Sequence, residues 1–379
     1  MNSRERLLTA INHREPDRIP LDLGGTQATG IHETAYRRLR EHLGLPPVTA
    51  VIVDAVQGLA ELDEDAIERL GVDVRGLYPL NSHNWNVVGV DAGDHWEYLD
   101  EWGIIHRKPK PGGLYYSVVR SPLAGEITVD TVKNYPWPST GDPRRVEGLR
   151  ERALAFRAQG KAVMIKGVLT GAFEMGQRLR GPENLLMDLA TDEEPARALL
   201  DKLIELKLSF WETALTRLGD TIDVVAEFDD YGTQESLLIS PRMFREIFKP
   251  RLAVLFRRIK ELAPAAKLFF HSCGNVRPLI PDFIEIGVDI LNPVHVRAAG
   301  MEASALKRDF GKDIVFWGGG VDTQGVLPCG TPRQVKDDVR RNVDALAPGG
   351  GFVFSPVHNI QADVPPENIV AMIEALRGE

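Results

Sequence analysis

Lys267-Leu-Phe-Phe-His-Ser-Cys-Gly-Asn275 is an apolar run of strand length that stops abruptly at His271, Ser272 and Cys273, after which Gly274 lets the backbone turn away. It puts an imidazole and a thiol where a buried strand meets the surface. Two residues apart on a turning segment, they can converge on one ion, because soft sulfur and borderline nitrogen both suit Zn²⁺. A His-x-Cys pair alone is more often packing than ligation, since cysteine is commonly buried. A metal site therefore needs a third ligand from elsewhere in the chain.

Similar runs stand on both sides of this one, at residues 162–168, 223–228, 288–291, 314–317 and 351–355. Between them lie long amphipathic stretches, such as residues 195–218 and 241–262, the second opened by Ser240 as cap and Pro241 as first residue, with a kink expected at Pro250. Thr331-Pro332 and Pro365-Pro366-Glu367 start two further helices in the same way. Strands alternating with helices imply a parallel sheet covered on both faces, and this many units in succession favour an α/β fold of the closed (β/α)8 barrel type. Upstream, Ser3 is expected to cap a helix to about Asn12, residues 19–23 read as a strand, and residues 34–43 and 63–70 have helical spacing. The loop Gly24-Gly25-Thr26-Gln27-Ala28-Thr29-Gly30 lacks a Walker lysine and a dinucleotide glycine spacing, so it reads as a plain loop or a pocket wall. Residues 75–140 alternate short strands with turns and carry Trp85, Trp96, Tyr98, Trp102, Tyr115, Tyr116 and Trp137, the pattern of an antiparallel excursion inserted in the barrel. One domain, residues 1–379, is expected, with an N-terminal part rich in short strands.

The bulk properties agree with a globular enzyme: 379 residues, 43% hydrophobic and 26% charged. A formal charge of -9 argues against nucleic-acid or acidic-membrane binding. Two cysteines, Cys273 and Cys329, exclude a disulfide framework, and with no signal-like or membrane-length apolar segment the expected compartment is the cytoplasm.

In such a barrel the chemistry sits on the loops that follow the strands. The polar residues there are Glu174, just past Phe173; Glu227, Asp229 and Asp230, with Gln234 beyond them; His271 and Cys273; Asn292 and His295; Asp322; and His358 and Asn359. Acids, imidazoles and a thiol on one rim form a metal or acid/base constellation. The plainer reading has the aspartates capping turns and the histidines satisfying backbone groups. His83, His95 and His106 lack ligand spacing, while His13, His32 and His42 fall in predicted helices or turns and are expected to face solvent.

Arg4-Glu5-Arg6, Asn12-His13, Glu15-Pro16-Asp17-Arg18-Ile19-Pro20, Phe228 to Gln234 with Ser240-Pro241, His-Ser-Cys-Gly and the closing Pro-Glu-Asn helix together resemble the uroporphyrinogen decarboxylase-like superfamily along almost the whole chain. The resemblance implies a (β/α)8 barrel and one of two chemistries, cofactor-free decarboxylation or zinc-dependent methyl transfer involving a corrinoid. The decarboxylases of that superfamily carry an arginine-rich motif that binds their acidic substrate. Here the corresponding residues, 19–30, contain no arginine, which argues against a substrate with eight carboxylates. The methyltransferases, those acting with methylcobalamin and coenzyme M included, hold zinc with His-x-Cys and a distant cysteine. His271 and Cys273 match the first two; counting back from Pro365-Pro366-Glu367-Asn368 puts His358 on the third. An alignment on Leu346-Ala347-Pro348-Gly349 would leave no third ligand, and Cys329, in a helix-capping turn, is a bystander. One thiolate and two imidazoles leave zinc a net positive charge and make it the stronger Lewis acid.

The resemblance thus implies an O-demethylase-like methyltransferase with Zn²⁺ on His271, Cys273 and His358. Asp229, Asp230 or Glu227 would position the substrate or move a proton, and Phe173, Glu174, Gln234, Asn292, His295 and Asp322 would line its site. The partners would be a small methyl donor or acceptor and a separate corrinoid protein, since the chain has no Asp-x-His-x-x-Gly segment of its own. Barrels of this kind often pair, so a homodimer is a further expectation. The alternatives are a metal-independent decarboxylase acting on another acid, and a noncatalytic ligand-binding barrel.

Overall fold

Strand alternation sorts the apolar residues into two cores, one inside a barrel and one outside it. The computed structural model describes residues 1–82, 89–110, 112–191 and 194–378. Its central sheet is parallel and seven-stranded, running from Phe352–Val353 through Val315–Trp317, Ile290–Asn292, Lys267–His271, Val224–Phe228 and Ala162–Lys166 to Val74–Leu77. Residues 20–22 close the ring: Leu21 bridges Phe354 in parallel, Asp22 N–H donates to Phe354 O at 2.8 Å, and Asp73 N–H donates to Leu21 O at 2.8 Å. The buried Asp73 carboxylate reinforces that seam, accepting from Leu21 N–H at 2.9 Å and pairing with Arg6 at 2.7 Å and Arg18 at 2.8 Å. The result is a (β/α)8 barrel, as the sequence rhythm implies.

Val224, Ala226, Phe228, Phe269, Val315 and Trp317 face inward, while Val225, Leu268, Phe270 and Phe316 pack outward against the helices. The N-terminal helix Ser3–Ile11 adds Leu7 and Ile11 to the inner cluster and so closes one end of the barrel. Its cap is Asn2, in a capping box with Glu5, and not Ser3.

Val74–Leu77 corrects the expectation that the excursion starts at residue 75, for this stretch is a barrel strand paired with Ala162–Lys166. Its Val-Arg-Gly-Leu sequence hides the strand, because Arg75 faces outward and is satisfied by Glu64 at 2.9 Å and Glu68 at 3.2 Å. The excursion itself is a four-stranded antiparallel sheet, Val90–Asp91, His95–Leu99, Ile105–Pro109 and Ser117–Arg120. It is tied to the barrel rim where Tyr116 N–H donates to Val56 O at 2.9 Å. His83 and Trp85 lie outside the described residues. His32 is buried rather than solvent-facing, its Nδ1 accepting from Thr34 N–H at 3.1 Å to cap the helix Glu33–His42. Around Pro250 the expected break takes the form of a π turn, Phe244–Phe248, between Pro241–Met243 and Lys249–Leu262. Among the described residues no helix is long and apolar enough to cross a membrane.

Candidate metal centre

His271 ends its strand in the inward register, beside Asn292 on the next strand. The Asn292 amide donates to Trp317 O at 2.8 Å, which turns its carbonyl oxygen to His271 Nδ1 at 2.5 Å. That contact makes Nδ1 the protonated nitrogen and leaves the Nε2 lone pair free. Nε2 points at Cys273 Sγ, 3.3 Å away. His358 follows the last strand and meets His271 edge to face at 5.7 Å between ring centroids. Potential ligand atoms of His271, Cys273 and His358 all lie within 4.8 Å of one another.

A tetrahedral zinc with ordinary Zn–S and Zn–N bonds needs ligand atoms roughly 3.3–3.6 Å apart. The His271–Cys273 edge already has that length, and His358 offers a ring nitrogen within 4.8 Å of both. Burial lowers the pKa of His271, and burial with the nearby His271 brings that of His358 down to about 4, so both rings are neutral and ligand-ready. Burial, with Asp230 and Glu174 nearby, raises the Cys273 thiol. The donor set fits zinc, and His271 and His358 lie on the wall of a cavity of about 300 Å³.

Two expected acids also line that cavity. Asp230 Oδ1 accepts from Cys273 N–H at 2.8 Å and stands 3.8 Å from His271 Nε2. Glu174 is paired with Arg178 at 2.6 Å. Burial raises the pKa of both carboxyls. His295 supports the turn from beneath, its Nδ1 accepting from Gly274 N–H at 3.2 Å.

The other expected residues do different work. Glu227 sits opposite outward-facing Phe270, so it leaves the barrel and pairs with Lys207 on the helix Glu194–Leu218 at 2.8 Å, with Trp211 Nε1–H as a second donor. It cannot reach the cavity. Asp229 caps the helix Ala172–Arg180, whose N-cap residue Gly171 has no side chain to do so: it accepts from Phe173 N–H at 3.0 Å, Glu174 N–H at 2.9 Å and Tyr231 O–H at 2.7 Å. Burial pushes its carboxyl up to about 7 while these donors pull it down. Phe173 stacks on Tyr231 in the outer core and is not among the residues that line this cavity. Gln234 is exposed and bonds Gln324 at 3.1 Å. Asp322 caps its own loop, accepting from Gln324 N–H at 2.9 Å and Val326 N–H at 3.2 Å.

Several cavity residues escaped the sequence reading: Gln27, Asp54, Gln57, Tyr115 and Arg178. Gln27 belongs to the glycine-rich loop read as a pocket wall or plain loop. Tyr115 comes from the excursion. Asn359 holds this side together, donating to Gln57 Oε1 at 2.6 Å and Gln27 O at 3.2 Å. A second lobe of about 220 Å³ continues the cavity through Gln27, Asp54, Thr170 and Arg178 toward Lys166 and His106. Lys166 was legible as the polar end of the apolar strand Ala162-Val-Met-Ile-Lys166.

Residues 123–378 match the family described as uroporphyrinogen decarboxylase (URO-D). Among curated proteins, a uroporphyrinogen decarboxylase of Legionella pneumophila is 26% identical over 205 residues, 53% of this chain and 53% of that protein. The match thus spans about half the length of that relative. One from Magnetococcus marinus is 21% identical over 410 residues, covering 100% of this chain and 98% of the relative. Among solved structures, a methyltransferase from Methanosarcina mazei superposes with a TM-score of 0.66 at 19% identity, covering 100% of this chain and 99% of that one, a likeness of fold.

Proposed function

The chain belongs to the uroporphyrinogen decarboxylase family, and from that premise we propose that it is a methyltransferase of the O-demethylase kind, taking a methyl group from a small methylated substrate to a corrinoid on a separate protein. The observation that carries this reading is the convergence of His271, Cys273 and His358, with Asn292 presenting the His271 lone pair to the same point. Zinc held there supplies a Lewis acid of net positive charge, suited to an ether oxygen. The chain's own residues do the rest. Asn292 fixes the ring of His271, and Asp230, which holds the Cys273 backbone through Oδ1 and lines the cavity, would hold or return a proton to the demethylated oxygen. The Glu174–Arg178 pair and Phe228 shape the walls.

Decarboxylation of a substrate with eight carboxylates fits less well. The loop at residues 19–30 brings no arginine, and of the cations on the two lobes Arg178 is already paired with Glu174. Eight carboxylates would find few partners here.

Methyl transfer is measured by incubating the purified protein with reduced corrinoid, on a carrier protein or free, and a set of methyl ethers, and following methylcobalt formation by absorbance. The wild type should give methylcobalt, and the doubly substituted His271→Ala, Cys273→Ala protein should be slower by at least about 100-fold, the scale on which loss of a metal's charge stabilisation acts. Near-full transfer by the double variant would overturn the proposed site.

A further inference from the structure

The second lobe holds a cation that makes no ion pair among the described residues. Lys166 ends its strand in the inward register, opposite inward-facing Ala226, and its side chain lines the lobe. It makes no ion pair with any described carboxylate; its Nζ lies 5.8 Å from the centre of the Tyr78 ring, and Asp54 attracts it only at longer range. Asp54, on the same wall, accepts from Gln57 N–H at 2.9 Å through Oδ1, and the other acids of the lobe are committed elsewhere. Glu101 pairs with Arg145 at 2.5 Å. Asp100 accepts from Trp102 N–H and Ile104 N–H at 2.9 Å each and holds His106 Nε2 at 2.8 Å. His106 is itself 1% exposed, lines the lobe, and its Nδ1 has no partner among the described residues.

A partly buried ammonium that lines a lobe without an ion pair stands to gain from an anionic ligand. We propose that this lobe is an anion subsite, in which Lys166 holds the carboxylate of a substrate whose other end reaches the His271–Cys273–His358 lobe. The inference rests on the functional reading above and narrows it: the substrate is a small methylated carboxylic acid, long enough to span both lobes and charged at the end away from the metal ligands. The lowered pKa that burial gives Lys166 is consistent with a site that recovers its counter-charge on binding. The waist between the lobes, where Arg178 is paired with Glu174, is too well neutralised to hold the carboxylate instead.

The test compares carboxylates with their uncharged amides of the same shape: methoxyacetate, para-methoxybenzoate and para-methoxyphenylpropanoate. Binding is measured by calorimetry on wild type, Lys166→Met and Lys166→Arg, each with zinc content and melting temperature recorded on the same samples. At least one carboxylate should bind the wild type roughly tenfold or more tightly than its amide, the scale of a charge-assisted contact. Lys166→Met should bring that ratio close to one without changing zinc content or melting, and Lys166→Arg should keep part of it. A ratio that persists in Lys166→Met, amides that bind as well as carboxylates, or binding by none of the three acids would overturn the subsite. The two readings fail separately: a Lys166-dependent carboxylate preference in a protein that takes up no zinc sinks the functional reading alone, and methyl-ether turnover without any charge preference sinks this one alone.

Discussion

A Glu227→Ala protein is expected to lose on the order of 3–5 kcal/mol of stability and to keep its metal. The substitution strips Lys207, 2% exposed, of its carboxylate partner and leaves an ammonium buried beside the carbonyls of Leu169 and Thr170. Those carbonyls belong to a loop on the wall of the second lobe, so the pair also braces the site at a distance. Urea denaturation followed by tryptophan fluorescence measures the effect. The double variant Glu227→Leu, Lys207→Met should recover most of the loss, because a well-packed apolar pair can replace a buried ion pair nearly neutrally. A Glu227→Ala protein with wild-type stability and no methyl transfer would instead put Glu227 in the chemistry.

The second large effect belongs to Asn292. Replacing it with Leu removes the acceptor that makes His271 Nδ1 the protonated nitrogen and Nε2 the ligand. Loss of such a partner to a metal-bound histidine costs about 10- to 100-fold in metal affinity. Competition for zinc with a chelator, read against wild type, should show a shift of that size, with the melting of the zinc-free proteins much less affected. An unchanged zinc affinity would mean that His271 does not need this orientation, and would weaken its assignment as a ligand.

The sequence made the barrel legible because its strands are uninterrupted apolar runs buried on both faces and its helices open with proline and a capping residue. Val74–Leu77 escaped because Arg75 and Gly76 break the run, and only the distant Glu64 and Glu68 show why an arginine is tolerated there. Among site residues, His271, Cys273 and Asp230 are readable from their place at strand ends. Glu227 was misread through parity: Phe228 and His271 share the inward register, so the residue one before Phe228 must face the helices. Asp229 could not be settled from its neighbours, since what it caps is a helix start 55 residues away in the chain. The His271–Asn292 contact spans 21 residues and depends on the register of two adjacent strands. Lys166 stood at the end of a strand in plain view, but its lack of an ion pair among the described residues is a property of the folded lobe.

The central claim is that His271, Cys273 and His358 hold one zinc ion. Elemental analysis of protein purified without chelator or tag, as wild type and as His271→Ala, Cys273→Ala and His358→Ala, measures it directly. About one zinc per chain in the wild type, the stoichiometry of a single three-ligand site, and its loss in all three variants is the expected result. A wild type that contains no metal and takes none up tightly, or a His358→Ala protein that keeps its zinc in full, would contradict it.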